Sequence, residues 1–66
     1  MPEIWMMLRQ DDNGQVFVVA DHLTCHQARV LLETHTARGH KQVYFLEPYN
    51  TDEQRAQIVL RLAPHV

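Results

Sequence analysis

His22, Cys25 and His26 are the residues whose types and spacing come closest to a reactive site in this chain. A thiol in the first turn of a helix feels the helix dipole, and a nearby imidazolium would lower its pKa further, as a thiolate nucleophile requires. Adjacent helical residues point about 100° apart, so His26 is poorly placed for Cys25. His22 or a distant histidine would serve better. The same residues also read as metal ligands: His22-x-x-Cys25 has plausible ligand spacing, with His35 or His40 to complete four. That second pair has no standard spacing relative to the first, and His35 falls on an apolar helix face well beyond Cys25. The expectation is an inert, partly buried thiol among solvated imidazoles, with His35 a hydrogen-bonded core residue. No catalytic residue, metal or cofactor is assigned, and the chain is read as a non-enzyme.

Other reactive arrangements are missing or have plain structural readings. The sequence contains no serine, which removes serine nucleophile chemistry. Its two glycines, Gly14 and Gly39, both fit turn positions, so no glycine-rich phosphate loop can be written. Asp11 and Asp12 sit at an expected hairpin tip, too exposed to hold a perturbed carboxylate pair. Arg29, Arg38, His40 and Lys41 could form a basic edge at a helix end. Trp5, Phe17 and Tyr44 could share one sheet face and stack a sugar, a base or a partner's side chains. The binding candidates are therefore Trp5, Phe17, Tyr44, Arg29, Arg38 and Lys41, with core packing and solvation as their ordinary roles.

The elements that position these residues are short. With 66 residues the chain makes one domain. A single core of this size rarely yields more than roughly 3–5 kcal/mol. One cysteine excludes an intramolecular disulfide, leaving a metal, a partner subunit or packing alone. A composition of 45% hydrophobic and 21% charged residues argues against disorder. Net charge is −2, which disfavours a general nucleic-acid binder. No apolar run approaches the ~20 residues that span a bilayer. Met1-Pro2-Glu3 carries no basic leader pattern, and the cytoplasm is the expected compartment.

Ile4–Leu8 reads as a strand ending in Arg9-Gln10, and Val16–Ala20 as a second. Between them, Asn13-Gly14 supplies two positions that tolerate positive φ, as in a tight hairpin. Thr24 and Gln27 fit a capping box that opens a helix over about 25–38. Ala28, Leu31, Leu32 and His35 fall on one face of it, and Gly39 stops it. Gln42–Leu46 reads as the third strand, ended by Pro48. Asn50 or Thr51 caps a last helix, in which Ala56, Val59, Leu60 and Ala63 form one stripe, widened by Ile58 and Leu62. Gln54, Gln57 and Arg61 form its wet side.

These elements assemble as an α+β domain, ββαβα, with a three-stranded mixed sheet in the order 2-1-3 packed with two helices. A right-handed crossover returns the third strand parallel to the second. Each strand carries apolar residues on both alternating faces, so one helix alone leaves a sheet face to be covered by the other helix, a partner or a ligand.

The stretch Val16 to Leu46 resembles one half of a SPOR-type domain, with Ala28, Leu31, Leu32, Gly39 and Val43 where that strand–helix–strand pattern expects them. Val18 and Ala20 stand where the family has glutamine and glycine. The resemblance implies binding of bare peptidoglycan glycan strands across the sheet, and no binding residues carry over. The residues themselves point to a small non-catalytic protein-interaction or regulatory module. It is expected to self-associate as a homodimer through an apolar sheet face or the C-terminal helix. A glycan remains an alternative ligand, as do nucleic acid and metal; a membrane is not expected.

Overall fold

The computed structural model describes residues 3–37 and 43–63. The elements are β1 (Ile4–Gln10), β2 (Val16–Leu23), α1 (Cys25–Ala37), β3 (Val43–Tyr49) and α2 (Asp52–Leu62), in the expected order. The sheet order is β2-β1-β3, with β1 central. Both ladders are antiparallel, so the expected mixed sheet is corrected to an antiparallel one. β2 and β3 do run in the same direction, but β1 lies between them and no parallel ladder forms.

The hairpin turn is built by Asp11 rather than by an Asn-Gly pair. The Asp11 carbonyl accepts from the Gly14 N–H at 3.0 Å, and its Oδ1 accepts from the Asn13 and Gln15 N–H groups at 2.9 and 3.0 Å. Within the turn only Gly14 takes positive φ, at 82°, so one residue turns the chain where two were expected.

β2 is three residues longer than its apolar run suggests, and it is irregular. Leu8 pairs with Val18 but Met7 pairs with Ala20, so an extra residue is accommodated around Val19. A second shift lies between Ala20 and Leu23, where His22 takes a left-handed φ of 56°. Each such bulge reverses the side-chain alternation beyond it. β3 runs through Pro48, which pairs with Trp5, instead of ending before it. Proline is tolerated there because β3 is an edge strand with one side outside any ladder.

Each sheet face takes one helix. Met6, Leu8 and Tyr49 form a buried cluster with Ile4, Val16, Val18 and Phe45, closed by Ile58 and Val59 of α2. The opposite face carries Met7 and Tyr44 and receives α1 through Ala28 and His35. Met6, Met7 and Leu8 are fully buried, so the central strand is covered on both sides. Burying a methionine or leucine side chain contributes about 1.5–3 kcal/mol, which makes this tripeptide the main apolar anchor.

Both helices open on capping boxes. In α1 the Thr24 hydroxyl accepts from the Gln27 N–H at 3.1 Å while the Gln27 side chain accepts from the Thr24 N–H at 3.0 Å. In α2 Thr51 is the cap, with Gln54 as its reciprocal partner. The expected helix stop at Gly39 lies outside the described residues.

Candidate functional site

The chain's polar centre is one that its sequence motifs did not announce. The Asp21 carboxylate accepts from the Tyr49 hydroxyl at 2.6 Å, from Arg55 Nε at 2.6 Å and from the His22 N–H at 2.7 Å. These groups join β2, the end of β3 and α2. Simple alternation from Phe17 would place Asp21 on the α1 side of the sheet. The bulge around Val19 moves it to the α2 side.

Electrostatics follow from that geometry. Burial pushes the Asp21 carboxyl upward, but the hydrogen bonds from Tyr49, Arg55 and the His22 backbone outweigh it and hold the group below the ordinary 3.8. Tyr49 shifts the other way: burial, then the bond to Asp21, raises it above 10.0. The hydrogen bond to Asp21 raises Arg55. All three shifts preserve one state, in which carboxylate and guanidinium are charged and the phenol is neutral. Such a cluster is suited to fixing elements in place, because a proton transfer would have to break the bonds that hold it.

α2 meets the sheet through Arg55, Ile58, Val59 and Leu62. The expected stripe was Ala56, Val59, Leu60 and Ala63, widened by Ile58 and Leu62. Of these, Ile58, Val59, Leu62 and Ala63 are packed or buried as expected, whereas Ala56 and Leu60 are not. Arg55 joins the packed side to reach Asp21, which an apolar periodicity does not register. Ala56 is left exposed, and Leu60 is 66% exposed. Val59 and Ala63 remain packed or buried, while Gln54, Gln57 and Arg61 are exposed as expected.

Two open grooves flank the helices. One follows the N-terminal half of α2 and includes Pro48, Glu53, Ala56, Gln57 and Ile58 in its lining. The other, more apolar, runs beside α1 between His22 and His26, over Leu23, Val30 and Leu31.

The sequence candidates are dispersed. Trp5, Phe17 and Tyr44 share the α1 face of the sheet and are half-buried. Arg9 stacks over Phe17, 5.3 Å from its ring centre. The His35 ring meets Tyr44 edge-on at 5.0 Å, and its Nδ1 lies 2.9 Å from the Leu31 carbonyl, as a hydrogen-bonded core histidine should. Arg29 is exposed on α1, whereas Arg38, His40 and Lys41 lie outside the described residues. His22, Cys25 and His26 are all exposed, so the expected partly buried thiol is corrected to an exposed one in the first turn of α1. Among the described residues, no group of three or more potential ligands could hold a metal ion. Among the same residues, no helix is long and apolar enough to cross a membrane.

No family model matches this chain, and no curated protein or solved structure is significantly similar to it.

Proposed function

We propose that this chain is a non-catalytic protein-interaction module that binds through the outer face of α2. The observation that carries the reading is Leu60, two-thirds exposed on a helix whose other side makes the Asp21–Arg55 contact and packs Ile58 and Val59 on the core. Ala56 lies one turn before it on the same side, beside an open groove.

The sheet itself is less suited to association. Both broad sheet faces carry a helix. The edges carry the features that discourage strand addition: bulges in β2 and a proline in β3. The titratable cluster is committed to packing, which leaves binding as the simplest use of the exposed surface.

A photo-crosslinking amino acid placed at Leu60 in living cells tests this. The expected result is a discrete protein adduct from position 60 and none from Glu33, an exposed residue of α1. Equal diffuse labelling from both positions, or no adduct from position 60, would overturn the proposal.

A further inference from the structure

We infer that the partner of α2 is a second copy of this chain, packed antiparallel across a two-fold axis near Gln57. The inference rests on the reading of α2 as an interaction surface and goes on to name the occupant. At about 100° per residue, Glu53, Gln57 and Leu60 fall within roughly 60° of arc on the outer side of the helix. All three are exposed, with Ala56 and Arg61 flanking them.

The charges along α2 are complementary to the same helix reversed. Asp52 and Glu53 occupy the first turn and Arg61 the last. Residues 53 and 61 are equally spaced about 57, so an antiparallel two-fold pairing sets each Glu53 opposite the other copy's Arg61. Among the described residues neither side chain makes an ion pair within its own chain. A parallel pairing in register would instead oppose Glu53 to Glu53 and Arg61 to Arg61, which like charges disfavour.

Shape agrees with charge. The protruding Leu60 of one copy meets the stretch near Glu53 and Ala56 of the other, beside the open groove that those residues line. Two-fold symmetry makes this contact twice, because a self-complementary patch contacts itself reciprocally. The helix is 11 residues long, about 16 Å, so the contact is smaller than a standard stable interface. The result is a dimer in exchange with monomer.

Sedimentation equilibrium on the purified chain, with single charge reversals alone and mixed, tests the arrangement. Wild-type mass should climb with concentration from 7.8 kDa towards twice that value. Glu53→Arg and Arg61→Glu should each weaken association about tenfold, since each homodimer then sets like charges opposite one another. Mixing the two variants should restore it, because the mixed dimer has one native and one reversed pair. Loss of helix stability cannot produce that rescue on mixing. Leu60→Lys should give monomer with an unchanged circular dichroism spectrum. A wild-type mass fixed at 7.8 kDa, or variants that fail to complement, would overturn the inference. The cellular adduct separates it from the broader reading: a discrete adduct to a different protein would leave α2 an interaction surface and refute self-pairing.

Discussion

Arg55 Nε donates to Asp21 Oδ2 at 2.6 Å, linking residues 34 positions apart in the chain. The contact lies on the side of the last helix that also packs Ile58 and Val59 against the core. Asp21 reaches the contact only because a bulge has moved it to that side of β2. The Tyr49 hydroxyl, on a residue 3% exposed, completes the cluster.

Asp21→Ala should destabilise the chain by about 2 kcal/mol, because charge-assisted bonds are lost and a buried phenol is left unpaired. That is a large fraction of what a domain this small possesses. Arg55→Ala should cost less, about 1 kcal/mol, since its side chain is 36% exposed and solvent replaces part of the interaction. Urea melts of the two single variants and the double variant should show less than additive losses.

Stability should fall at both ends of the pH scale. The folded-state pKa of Asp21 is depressed, so its contribution is complete above the ordinary 3.8 and is lost as pH drops through the lower folded value. The folded-state pKa of Tyr49 is raised, so its contribution is complete below 10.0 and is lost as pH climbs through the higher folded value. Denaturation midpoints measured from pH 2 to 11 should reveal both limbs. Asp21→Asn should flatten the acid limb and Tyr49→Phe the alkaline one.

Val19 should be dispensable. Val18 already pairs with Leu8 and Ala20 with Met7, so deleting the extra residue between them leaves Asp21 on the α2 side, beside Tyr49 and Arg55. The expected outcome is cooperative thermal unfolding that survives the deletion. Val19→Thr, at a site 40% exposed, should stay within about 0.5 kcal/mol of wild type.

His22 holds a left-handed backbone conformation at φ 56°. An L-residue is strained there and glycine is not. His22→Gly should therefore raise stability by about 0.5–1 kcal/mol in chemical denaturation, despite removing a side chain.

Much of the fold was legible because it follows local rules. Alternation and β-branched residues mark the strands, and Thr24 with Gln27 marks the start of α1. Ala28, Leu31, Leu32 and His35 mark its inner face. What the sequence did not disclose depends on contacts distant in the chain. Bulges leave little imprint in composition, so the apolar run of β2 ends at Ala20. Pro48 signals a strand stop, a rule that relaxes on an edge strand. Arg55 escapes an apolar periodicity, which counts only apolar side chains, and its partner lies three elements earlier. The only available signal was a lone acidic residue, Asp21, directly after an apolar strand.

The most direct test is the alkylation rate of single cysteines placed at Val59 and at Leu60, in a Cys25→Ala background and at concentrations where the chain is monomeric. With α2 packed through Arg55, Ile58 and Val59, a thiol at position 60 should react about tenfold faster than one at 59, because access governs the rate. Raising the protein concentration should then slow position 60 alone, as a second copy covers it. A thiol at 60 that reacts no faster than one at 59 would contradict the account at its foundation.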